Sequence, residues 1–148
     1  MELIKGKKML LDRINKCFFE TIGVDEILFY GIIDKEIIHM VIEKVAQMDQ
    51  DVTFKIIIPN LQDFGLINWF RSHQNLHNNY QIRTNSKCSN QYIVIGDMLI
   101  FISGTSPKKY NFIDDGFLCM IDKKSSESNL NLREIFLEKW GGSYDLYL

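Results

Sequence analysis

Residues 88–107, CSNQYIVIGDMLIFISGTSP, contain two apolar runs that meet at Gly96-Asp97 and then break into small residues. Gly-Asp between QYIVIG and MLIFISG predicts a β-hairpin, because a two-residue hairpin turn needs backbone conformations that glycine adopts without strain. The hairpin can be read as core alone, or as the remnant of a catalytic site whose reactive side chains are gone.

Outward from the hairpin, the chain alternates helix and strand. Leu10, Leu11, Ile14, Cys17, Phe18, Thr21 and Ile22 recur at helical spacing, predicting a first helix that ends near Gly23. EILFYG reads as a buried strand. DKEIIHMVIEKVAQM reads as a helix capped by Asp34, with Ile37, Ile38, Val41, Ile42 and Val45 inward, and VTFKIIIP as the next strand. Strand, helix and strand make a βαβ unit with parallel strands. LQDFGLINWFRSHQNL is a further helix, YQIRTN a short strand and GFLCMID a sixth strand. KKSSESNLN is polar linker leading to LREIFLEKW, a last helix ended by Gly141-Gly142. The terminal GGSYDLYL either packs back on the body or extends as an attachment strand. The expected fold is α/β, a mixed, mostly parallel sheet with a hairpin, flanked by helices, in a single domain over residues 1–148.

Composition agrees with a folded domain: 46% of the 148 residues are hydrophobic and 24% are charged. A net charge of −2 supplies no overall attraction for nucleic acid or an anionic membrane. Nucleic acid is therefore disfavoured as a partner, although a local basic patch stays open. Cys17, Cys88 and Cys119 are odd in number and irregularly spaced, so they read as reduced, structural cysteines of a cytoplasmic protein. The opening residues are interrupted by Asp12, Arg13, Asn15 and Lys16, which fits neither a signal peptide nor a membrane span.

The usual chemical signatures are missing: no glycine-rich phosphate loop, no paired-cysteine zinc spacing, no Gly-x-Ser-x-Gly elbow and no His-Glu-x-x-His. His39 falls on a helix surface. His73 and His77 have the i, i+4 spacing of metal ligands, but NLHNNY breaks the helix pattern around them and no third ligand is evident nearby. No metal or cofactor is expected.

The order helix, strand, helix, strand, helix, strand, hairpin, strand, helix resembles one half of a phospholipase D superfamily domain over most of the chain. In that family the hairpin carries a His-x-Lys pair, an aspartate at the next turn and, after the following strand, a Gly-Ser-x-Asn-type loop. The histidine is the nucleophile, while the lysine and the loop neutralise phosphate oxygens. Here NQYIVIGD places Asn90 at the histidine, Tyr92 at the lysine and Asp97 at the aspartate, and GTSP places Gly104 and Thr105 at Gly-Ser and Pro107 at the asparagine. The closing IFLEKW resembles the family's Phe-x-x-x-Trp ending. A phosphohistidine route needs an imidazole and an adjacent cation, and Asn90 and Tyr92 supply neither.

The resemblance implies a degenerate, non-catalytic binding or regulatory module, since inactive relatives serve as sensing or docking domains. The expected ligand-binding residues are Lys87, Asn90, Tyr92, Asp97, Thr105 and Lys108, with backbone N–H groups and hydroxyls left to receive a small anionic or sugar ligand. Asp114 and Asp115 close by favour sugar hydroxyls over phosphate. A protein partner is the other expectation, as is a homodimer, because active sites of the superfamily are made from two such halves. The alternatives are a phosphodiesterase or nuclease with a divergent site, and a scaffold subunit of a larger assembly. If Tyr92 faces a site, Asn90→His with Tyr92→Lys leaves the fold intact.

Overall fold

The computed structural model describes residues 2–20, 24–32, 34–48, 51–59, 64–72, 80–88, 91–103, 118–123 and 127–145. Strand β1 (Glu2–Lys5) is followed by helix α1 (Lys7–Glu20), and Gly6, with φ 88°, makes the break between them. The sequence pattern, whose first helical residue is Leu10, gives no strand at these four residues. Along α1 the buried Leu10, Ile14 and Cys17 follow the expected helical spacing, and Leu11 and Phe18 pack beside them.

Strand β2 (Glu26–Tyr30), helix α2 (Lys35–Ala46) and strand β3 (Thr53–Ile58) form the expected βαβ unit, with β2 and β3 parallel. Asp34 caps α2, its Oδ1 accepting from the N–H groups of Glu36 and Ile37. The five predicted apolar residues of α2 are all buried. Helix α3 (Phe64–Ser72) leads to strand β4 (Gln81–Thr84), parallel to β3. The hairpin follows as β5 (Gln91–Ile95) and β6 (Met98–Ser103), with Gly96 at φ 56°, the left-handed conformation its turn requires.

Strand β7 (Leu118–Lys123), helix α4 (Glu127–Gly141) and a short β8 (Tyr144–Asp145) complete the chain. Helix α4 begins five residues before the LREIFLEKW segment, inside the expected polar linker. Of GGSYDLYL, Tyr144 and Asp145 pack back as β8 paired with β4, and residues 146–148 lie outside the described residues.

The sheet order is β1-β7-β6-β5-β2-β3-β4-β8. Only β2–β3 and β3–β4 are parallel; β1–β7, β7–β6, β6–β5, β5–β2 and β4–β8 are antiparallel. The expected mostly parallel sheet is thus corrected to a mostly antiparallel one. After β4 the chain returns to the free side of β2 and continues as a meander, which pairs antiparallel by geometry.

One face of the sheet, through Ile27, Phe29, Ile56, Ile93 and Ile100, packs on α1, α2 and α3. The opposite face, through Leu28, Tyr30, Ile57, Tyr92 and Val94, packs on Phe136 and Trp140 of α4. Burial on both sides explains why the central strands read as unbroken apolar runs. Among the described residues no helix is long and apolar enough to cross a membrane.

Candidate functional site

Tyr30 ends β2 and lies opposite Tyr92 of β5. Their rings stack with centroids 4.9 Å apart, and Phe136 of α4 meets Tyr30 edge-on at 6.3 Å. Tyr92 is 1% exposed and its hydroxyl donates to the Leu132 carbonyl at 3.3 Å. Burial, with Tyr30 and Cys88 beside it, raises the Tyr92 pKa above its ordinary value. The expected ligand-facing Tyr92 is therefore a core residue, because α4 closes over this part of the sheet. Tyr92→Lys would bury an ammonium, so the His/Lys double variant is expected to lose stability rather than leave the fold intact.

Gln91, buried beside it, donates from Nε2 to the Gly31 carbonyl at 3.1 Å and ties the start of β5 to the end of β2. Cys88 is buried and hydrogen-bonded with Tyr30. Burial pushes its thiol up to about 12, against the smaller opposing effects of that bond and of the Lys139 charge.

Of the six expected site residues Lys87, Tyr92 and Asp97 are described, and these three do not gather at one place. Asn90, Thr105 and Lys108 lie outside the described residues, as do Gly104, Pro107, Lys109, Asp114, Asp115, His73 and His77. Asp97 is exposed at the hairpin turn, where Gly96 N–H donates to the Glu26 carbonyl at the start of β2. Lys87 precedes β5 and therefore lies near the other end of β2. A five-residue strand spans about 17 Å, so Asp97 cannot share a rim with Lys87.

Lys87 instead lines a cavity of about 370 Å³ together with Asn85, Ser86, Glu138, Lys139, Gly142 and Tyr144. The walls are the β4–β5 connection, the end of α4 and β8. Asn85 builds its own turn, its side-chain oxygen accepting from the Lys87 N–H at 2.9 Å. Arg83 lies 4.3 Å from the Trp140 ring centroid, donates to the Trp140 carbonyl at 2.8 Å and pairs with Asp145 at 3.0 Å. Those contacts hold β4, α4 and β8 together behind the cavity. Lys139 and Tyr144 were missed in the sequence because α4 looked like a closing core helix and β8 is two residues long. The signal was GGSYD, a helix stop followed by an exposed aromatic.

His39 sits on the α2 surface with Glu43 at 3.1 Å, beside Trp69. Among the described residues no group of three or more His, Cys, Asp or Glu side chains gathers as metal ligands would. Cys17, Cys88 and Cys119 are buried, and none is in a disulfide among the described residues.

No family model matches the sequence, and a search of curated proteins finds no match. Solved structures do match. The phospholipase D family member Nuc from Salmonella typhimurium superposes over 99% of both chains at a TM-score of 0.72 and 12% identity. The chain has a phospholipase D-like fold. NucT from Helicobacter pylori shares this phospholipase D-like fold over 98% of both chains, with a TM-score of 0.66 and 11% identity. TrmBL2, an archaeal chromatin protein that binds DNA, matches 98% of this chain at a TM-score of 0.67 and 15% identity, and the chain spans 54% of its length. On this phospholipase D-like scaffold, Tyr92 of the hairpin is packed under α4.

Proposed function

We propose that the protein is a non-catalytic binding module with a regulatory role, taking a small anionic or sugar ligand near Lys87. The observation that carries this reading is Tyr92. Where the resemblance puts the cation that phosphoryl transfer needs, the chain has an aromatic side chain packed between sheet and helix, and the sequence has Asn90 in place of the motif's histidine. TrmBL2 supports it too, as a DNA-binding chromatin protein with the same fold. The likeness to Nuc favours the second reading, a phosphodiesterase or nuclease with a divergent site.

Self-association belongs to the same proposal. Leu3 of β1 lies opposite Met120 of β7, and Met120 opposite Phe101 of β6. Leu3, at 62% exposure, and Met120 extend the apolar face beyond the part that α4 covers, which suits a two-fold contact with a second copy. The module is expected to act in the cytoplasm through a protein partner.

The deciding experiment incubates the protein with bis(p-nitrophenyl) phosphate and with labelled single- and double-stranded DNA, while thermal shifts are read against sugars, sugar phosphates and nucleotides. The proposal expects stabilisation by a ligand without turnover. Turnover abolished by Asn90→Ala would establish the enzymatic reading instead.

A further inference from the structure

We infer that the cavity between the β4–β5 connection and the end of α4 binds a nucleoside phosphate, with Lys87 and Lys139 on the phosphate and Tyr144 against the base. This rests on the binding-module reading and names its ligand. Lys87 and Lys139 both line the cavity, and neither has an ion-pair partner among the described residues. Two unneutralised ammonium groups on one concave wall suit a phosphate, which accepts hydrogen bonds from several donors.

The end of a helix normally repels an anion through its unsatisfied carbonyls. Here the carbonyls of Glu138, Lys139 and Trp140 are occupied. The Lys139 carbonyl accepts from Gly142 N–H, Ser143 Oγ and Asn85 Nδ2, and the Glu138 carbonyl accepts from Gly142 N–H. The Arg83 guanidinium sits on the Trp140 carbonyl. The α4 terminus is thereby compensated, and the two lysines outweigh the one carboxylate on the lining, Glu138.

Tyr144 gives the second half of the ligand. It is 78% exposed, on a strand held in place by pairing with β4, so its ring is presented without being consumed by the core. An open aromatic face next to cations is the arrangement that stacks a base while its phosphate is neutralised. Glu138 and Ser86, on the same lining, suit the hydroxyl or amino groups between phosphate and ring. The volume, about 370 Å³, is that of a small-ligand site. A free nucleotide and one unit of a single strand share this chemistry.

The test titrates the full chain with AMP, adenosine, inorganic phosphate and a short oligodeoxyadenylate, by calorimetry and thermal shift. AMP is expected to bind at least about tenfold more tightly than adenosine or phosphate, because both halves of the site contribute. Lys87→Ala with Lys139→Ala should weaken AMP about tenfold or more and leave adenosine unchanged. Tyr144→Leu, which keeps β8 bulk at an exposed position, should weaken AMP and adenosine alike and leave phosphate unchanged. An oligonucleotide that binds more tightly than AMP, with steep salt dependence, identifies a strand as the source; tighter AMP identifies the free nucleotide. Absence of binding by all four probes at millimolar concentration, or AMP binding insensitive to both variants with the circular dichroism unaltered, overturns the assignment. Hydrolysis of the oligonucleotide would defeat the non-catalytic reading separately, leaving the cavity to be judged by the variants.

Discussion

At the scale of single residues, Tyr92 carries most of the meaning. Its ring is held between Tyr30 and α4, so it serves the packing of sheet against helix. Tyr92→Phe keeps the stack and loses one hydrogen bond, and should cost about 1 kcal/mol in urea unfolding. Tyr92→Lys leaves a buried, unpaired charge and should cost about 3 to 5 kcal/mol. Equal, small effects of the two would show that the ring is not enclosed. Cys88 makes a pH prediction. Its thiol is held up at about 12 against an ordinary 9.0 by burial, and Cys119 at about 11 for the same reason. The unfolded chain therefore loses these protons at lower pH than the folded one. Their contribution is complete below pH 9 and is lost as pH rises through about 9 to 12. Unfolding monitored from pH 7 to 11 should show stability falling above pH 9, and Cys88→Ala should flatten that fall. A profile unchanged by the substitution would mean that Cys88 is not shielded.

Single elements are tied down by a few polar contacts at their ends. Asp34 is buried, caps α2 through Oδ1 and meets Lys7 Nζ at 3.1 Å through Oδ2, and Lys7 also reaches Glu36 at 2.7 Å. That cluster fastens the start of α1 to the start of α2. Asp34→Ala should cost about 1 to 2 kcal/mol, while Asp34→Asn, which keeps the cap oxygen, should cost less. The two substitutions would be indistinguishable if capping contributed nothing. At the far side, Arg133 of α4 grips Glu26 of β2 with bonds of 2.6 and 3.0 Å. Helix α4 is therefore anchored at its middle by an ion pair and at its end by Arg83, which fixes both the lid over Tyr92 and the wall of the cavity.

Over the whole molecule, the asymmetry of the two sheet faces decides what is left for partners. Among the described residues three helices cover one face, whereas α4 alone covers the other, leaving Leu3 and Met120 exposed towards the β1 edge. Sedimentation should report a dimer, and Leu3→Lys with Met120→Lys should give a monomer of unchanged circular dichroism. A dimer surviving that change would put the contact elsewhere.

The sequence determined the helices, the central strands and the hairpin, since apolar spacing, the Asp34 cap and Gly96 are local signals that act within a few residues. Element order was enough to bring a phospholipase D-like fold into view. Strand direction was not: the β5 to β7 meander joins β2 rather than β4, and no residue spacing encodes which sheet edge a returning chain will choose. Strands β1 and β8 were hidden for a related reason, being two to four residues long and stabilised by pairing alone. Only the tertiary structure decided that Tyr92 faces α4 rather than solvent, that Asp97 lies a strand's length from Lys87, and that Lys139 and Tyr144 join Lys87 around one cavity. A side chain's chemistry is written in the chain, but its exposure is a property of what packs against it.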